Sequence, residues 1–186
     1  MFQKKIRPAK LNLILSDFWS SHYVPVEYAD LIRHTRAKLD GLRLRSRKSR
    51  YLSPELKAKK DKFHRYIAEL KVKAKQAMLE MGLIDDDTID NIEQSQEEYF
   101  EIVRIMPKIK NDIEKYKEAK GTAKGSDKSY YNYKIEELTE VLSELKQIQQ
   151  NDIDRLLHEW GKINERYYQG KTIRVVSPGL RTSPSV

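Results

Sequence analysis

The chain has 186 residues, with 36 Lys and Arg against 28 Asp and Glu, a net charge of +8, a pI near 9.4 and a mean hydropathy of −0.76. It has no cysteine, which excludes disulfides, thiol chemistry and cysteine-based zinc or iron–sulfur sites, and no apolar run approaches the roughly 20 residues that span a bilayer, so membrane insertion is not expected. Charged residues make up 34% of the chain while only seven Gly and six Pro interrupt it, the composition of long, solvent-washed helices with narrow apolar seams.

Residues 1–24 read as an N-terminal arm. Lys4, Lys5, Arg7 and Lys10 ahead of Leu11–Leu15 imitate a signal peptide, but the apolar part is short, contains Asn12 and stops at Asp17, so export is not expected. A cytoplasmic chain is the expectation, with a virion or a mitochondrion as alternatives. Leu11, Ile14, Leu15 and Phe18 suit a short helix; Leu11, Leu13 and Leu15 suit a strand. Phe18, Trp19 and Tyr23 are placed to dock the arm onto the helices.

Pro25 stands at the first turn of a helix expected to run to about Leu44, with Tyr28, Leu31, Ile32, Leu39 and Leu42 on its apolar stripe. The basic run Arg43, Arg45, Arg47, Lys48 and Arg50 has little apolar content and reads as a loop or frayed helix end. Ser53-Pro54 then starts a second helix, carried by Leu56, Phe63, Ile67, Leu70, Ala74, Ala77 and Met81 and stopped at Gly82. Its length is roughly 42 Å.

Asp85-Asp86-Asp87 puts negative charge where the dipole of a third helix favours it. Its expected seam is Ile89, Ile92, Tyr99, Val103 and Met106, with Gln96 as a polar interruption and Pro107 as a kink or restart before Ile109, Ile113 and Tyr116. Residues 121–128 read as a loop. The last helix, about Tyr130 to Tyr168, carries a heptad seam of Tyr131, Ile135, Leu138, Leu142 and Leu145, resumed by Leu156, Trp160, Ile163 and Tyr167. Strict heptads between the two runs would bury Gln149 and Asp152, so a shift of the seam is expected there, because an unpaired buried carboxylate is costly. After Gly170, Thr172–Val176 reads as a short strand able to join a neighbour's sheet edge, and the last ten residues as tail.

Charge is segregated along these elements. Residues 33–75 carry sixteen Lys and Arg against four acids, +12, whereas residues 80–118 carry five against twelve, −7. Arg43, Arg45, Arg47, Lys48, Arg50, Lys57, Lys59, Lys60, Lys62 and Arg65 are the candidate nucleic-acid contacts, since clustered cations bind phosphates by counterion release whatever the sequence. The alternative is a solvated face neutralised by the acidic helix that follows. Tyr130, Tyr131, Tyr133, Tyr167 and Tyr168, each group beside Lys or Arg, are candidate base-stacking platforms, against the plainer reading of rings packed on one face with wet hydroxyls.

Two acidic patterns resemble known metal sites. Asp86-Asp87-Thr88-Ile89-Asp90 matches the DDxxD of prenyl-diphosphate synthases, but the pattern is single and lies where a helix start favours acids anyway. Glu97-Glu98-Tyr99-Phe100-Glu101 resembles the first half of the metal site of all-α NTP pyrophosphohydrolases, while its second half, Glu137 and Glu140, lacks the final Asp. Solvated charge is the expected reading of both. His22, His34, His64 and His158 never stand at i, i+4 spacing, and no glycine-rich phosphate loop is present. No catalytic residue, metal site or cofactor is therefore assigned.

The expectation is an all-α chain of three to four long helices in antiparallel hairpins or an elongated coiled-coil-like bundle over residues 25–168, between the arm and a tail over 169–186. Its expected role is that of a non-enzymatic helical adaptor or structural subunit of a larger nucleoprotein or viral assembly, meeting protein partners (itself or others) through its seams and arms, with DNA or RNA as a further partner. The alternatives are a freestanding nucleic-acid-binding factor and, more distantly, a Mg-dependent pyrophosphohydrolase.

Overall fold

The computed structural model describes residues 7–47 and 53–176, with side chains over 7–44 and 53–170. Among the described residues the chain is all-α: α1 (Pro8–Ile14), a 3-10 turn at Phe18–Ser20, α2 (Val26–Arg47), α3 (Pro54–Glu80), α4 (Thr88–Thr122) and α5 (Ser126–Val176). These fall into two compact units, one of Met1–Ile89 with Trp160–Val186, the other of Asp90–Glu159.

In the first unit the arm is helical. α1 buries Ile14, and Phe18, Trp19, Tyr23 and Val24 follow it into the core. The arm closes on the first part of the α5 segment that belongs to this unit. Phe18 meets Trp160 edge to face at 5.5 Å, Tyr23 meets Trp160 at 5.9 Å, and the Tyr23 hydroxyl donates to Asn164 Oδ1 at 2.7 Å. Asp17 pairs with Arg36 and accepts from Ser20. Burial pushes the Asp17 carboxyl up, but the bonds from Arg36 and Ser20 and the charges of Arg36 and Lys71 together hold it below the ordinary range.

α2 packs on α3 through Ile32, Leu39 and Leu42 against Ile67, Leu70, Ala74 and Met78. α2 continues to Arg47, so the first part of the basic run is helix and not loop: Leu39 and Leu42 keep the face buried, and extending a formed helix costs little per residue. The start of α3 is as expected, with Ser53 Oγ accepting from the Leu56 N–H at 3.3 Å and Pro54 in the first turn. At its other end Gly82 takes φ +67°, closing the Leu79 carbonyl, and the Leu83 N–H returns to Met78. Gly82→Ala forces a left-handed backbone on a Cβ and should cost about 1 kcal/mol by urea denaturation.

α4 opens on a reciprocal turn, in which Thr88 Oγ1 accepts from the Asp85 N–H at 2.9 Å. It then runs unbroken through Pro107, where a kink or restart was expected. The N–H that proline lacks would have served Val103, whose side chain lies on the exposed side of the helix, where water can take that carbonyl. The seam of the second unit therefore differs by one position from the expected one: Ile102 is buried and Val103 is 42% exposed, with Ile92, Ser95, Tyr99, Ile113 and Tyr116 continuing the heptad. α5 begins at Ser126, so the connection after Thr122 is only three residues, with Gly125 at φ +59°.

In α5 the heptad never shifts. Leu142, Leu145, Gln149, Asp152, Leu156 and Glu159 keep alternating spacings of three and four, Asp152 is 1% exposed, and Ile148 turns outward. The expected seam shift is thus corrected to a buried carboxylate. At the C-terminal end α5 continues through Gly170 to Val176. Thr172–Val176 is helix and not strand, because propagation of a formed helix outweighs the β-branched preference of a few residues. The tail beyond it lies outside the described residues. No described helix is long and apolar enough to cross a membrane.

Candidate nucleic-acid interface

The eight basic candidates within the described residues lie toward one end of the α2–α3 hairpin, in the last turns of α2 and the first half of α3. Arg43 is exposed on α2, beside Asp40 at 3.4 Å. Arg45 and Arg47 lie in the last turn of α2, and Lys48 and Arg50 fall outside the described residues. Lys57, Lys59, Lys62 and Arg65 are exposed on the first half of α3, and Lys60 is half-buried.

Helical spacing sets Lys59 and Lys60 on the two flanks of the Leu56–Ile67–Leu70 seam and Lys57, Lys62 and Arg65 on the outer side. The cations surround the end of the hairpin instead of forming one stripe. Such a cluster suits a flexible or irregular phosphate path better than a straight groove. Among the described residues, none of Lys57, Lys59, Lys60, Lys62 and Arg65 takes part in an ion pair or a side-chain hydrogen bond. Some cations outside the cluster are matched within a turn, among them Lys115 to Asp112 at 3.0 Å, Lys117 to Glu114 at 2.8 Å and Lys134 to Glu137 at 2.6 Å, while Arg104, Lys108, Lys110 and Lys146 are as unpaired among the described residues as the α3 group.

The five tyrosines do not form one platform, since they divide between the units. In the second unit Tyr130 and Tyr133 are exposed, Tyr131 is half-buried between Tyr130 at 5.6 Å and Tyr116 at 6.1 Å, and Lys134 Nζ stands over the Tyr133 ring at 5.5 Å. In the first unit Tyr168 is exposed, while Tyr167 is half-buried against Tyr23 and His22.

Among the described residues no three His, Asp or Glu side chains gather as a metal would need. Glu97, Glu101, Glu137 and Glu140 are exposed, and Asp86, Asp87 and Asp90 lie at the surface around the start of α4. Glu98 instead turns toward α5. Arg155 is 3.7 Å from Glu98 and 3.8 Å from Asp152, and donates to Ser95 Oγ at 3.4 Å. Neither Asp152 oxygen accepts a well-formed hydrogen bond. Burial first, then the neighbouring Glu98 carboxylate, push Asp152 up to about 6 against the opposing pull of Arg155. The heptad pattern pointed to this buried acid directly. What concealed it was treating the cost of a buried carboxylate as prohibitive, when Arg155 at 3.8 Å offsets part of it.

No protein family, curated protein or solved structure matches the chain.

Proposed function

We propose that the chain is a non-enzymatic helical subunit of a nucleoprotein assembly, and that it grips the phosphate backbone with the end of the α2–α3 hairpin. The observation that carries this reading is the density of unmatched charge: Lys57, Lys59, Lys60, Lys62 and Arg65 stand within nine positions of α3 against one acid, Asp61, and have no ion partner among the described residues. Crowding like charges at one end costs stability through self-repulsion, and a polyanion relieves that cost by neutralising them. The contact is backbone-directed and so tolerant of sequence.

Anisotropy with labelled single- and double-stranded DNA and RNA at two salt concentrations tests it. Binding should weaken steeply with salt. Reversing Lys57, Lys59, Lys62 and Arg65 to Glu should lower affinity about tenfold or more and flatten the log–log salt slope by roughly 3, as expected for about four lost phosphate contacts. These side chains are exposed, so far-UV circular dichroism should not change. If no probe binds even at low salt, the cluster faces a protein and the nucleic-acid reading fails.

A further inference from the structure

The first unit contains a half-open cleft of about 590 Å³, made where the arm, the start of α2, the turn after α3 and the end of α5 converge. That size lies within the roughly 300–1,000 Å³ of small-molecule sites. Tyr23, Val24, Pro25, Ala29, Leu83 and Tyr167 provide much of its wall, and His22 and Tyr167 face each other edge to face at 5.4 Å. The formally charged groups of the lining are of one sign: Arg33 and Arg166 reach it from two different helices, and among the described residues no carboxylate lines it.

Arg166 is oriented from behind by Asp85, which meets it through both carboxylate oxygens at 3.0 Å, a two-point pair that fixes the guanidinium plane. The same pair holds the Asp85 carboxyl below its ordinary range. Arg33 has a looser partner, Asp30 at 3.2 Å on an exposed helix face. The Ser21 hydroxyl, also in the lining, is buried without a hydrogen-bond partner. α2 begins at Val26, itself in the lining, so the positive end of a 22-residue helix adds to the field of the two guanidiniums.

Flat rings, an uncompensated donor and converging positive charge without a lining acid define the ligand. It must carry a planar apolar body and a compact anion. We propose that the cleft binds one nucleotide, its base against His22 and Tyr167 and its phosphate between Arg33 and Arg166, with the Ser21 hydroxyl supplying a hydrogen bond. The nucleotide could be free or the 5′-phosphorylated end of a strand. Inorganic phosphate alone lacks the stacking surface, and a nucleoside alone lacks the anion. The assignment does not depend on the α2–α3 hairpin contacting nucleic acid, because the cleft uses none of the hairpin's end residues.

The test is isothermal titration of the full chain with AMP, adenosine, inorganic phosphate and a 5′-phosphorylated oligonucleotide. AMP should bind saturably at one site, at least tenfold tighter than adenosine or phosphate. Arg33→Glu and Val26→Glu, both at exposed positions that should leave the fold intact, should each weaken AMP at least tenfold. The quadruple charge reversal at the hairpin should leave AMP binding unchanged, which separates failure of this site from failure of the hairpin contact. Competition of the oligonucleotide for AMP would assign the site to strand ends, and its absence to free nucleotide. Absence of saturable AMP binding overturns the proposal, as does affinity that stays the same in both Glu variants.

Discussion

Asp152→Asn is expected to stabilise the protein at pH 8 by about 2 kcal/mol and to leave its stability at pH 4 nearly unchanged. The buried carboxyl titrates near 6 in the folded chain and near its ordinary 3.8 when unfolded. Between those values the folded state holds the proton more tightly, so the contribution of this group falls as pH rises from about 4 to 6 and is absent above, while the rest of the fold's stability remains. Asparagine keeps the side chain neutral at every pH, keeps its shape and can still approach Glu98. Urea unfolding of both proteins at pH 4, 6 and 8 provides the check. The difference between them cancels Asp17 and Asp85, whose depressed values work in the opposite direction at lower pH. A variant less stable than the parent at pH 8 would mean that Arg155, 3.8 Å away, more than offsets the cost of the buried charge.

The largest loss is expected from Trp160→Ala, about 3–5 kcal/mol. This side chain is 4% exposed and receives the edges of both Phe18 and Tyr23, so truncating it removes the surface on which the arm rests. The indole N–H is buried without an acceptor, a cost the wild type already carries. Trp160→Phe discards that donor while keeping a ring, and should therefore lose far less, about 1 kcal/mol. Limited proteolysis supplies a second readout, with cleavage between residues 8 and 24 rising sharply in the alanine variant and little in the phenylalanine one. Equal losses in both would show that the arm depends on the size of the indole and not on an aromatic surface.

The all-α class and most helix boundaries were legible in the residues themselves. Ser53-Pro54 and Gly82 mark ends by local chemistry, and that chemistry acts the same way whatever surrounds it. Phe18, Trp19 and Tyr23 were readable as a docking group because three large rings in six positions have little other use. The misreadings share a cause: each weighed a local preference against an assumed fixed penalty. Val103 and Ile102 are equivalent as hydrophobes, and only the register of the partner helix decides between them. Pro107 breaks a helix whose freed carbonyl is buried, not one whose carbonyl meets water. Asp152 looked forbidden because its burial was taken as prohibitive, without the partial compensation from Arg155. The cleft had no sequence signature, since Arg33, Leu83 and Arg166 come together only through the fold.

The first unit is assembled from the two ends of the sequence, with Tyr23 bonded to Asn164 and Asp85 to Arg166. This has a consequence for the order of events during synthesis. Residues 90–159 form a continuous hairpin and can pair as soon as they leave the ribosome, as can α2 with α3, whereas the arm must wait for Trp160 and the residues after it. Joining Tyr23 to Asn164 across an open chain of 141 intervening steps carries a large loop-closure cost, and a hairpin formed first shortens the effective loop. Ribosome-bound chains ending near residue 150 should therefore leave the arm open to protease and to chaperones. Docking of the arm would thus be triggered by the segment of α5 that begins at Trp160.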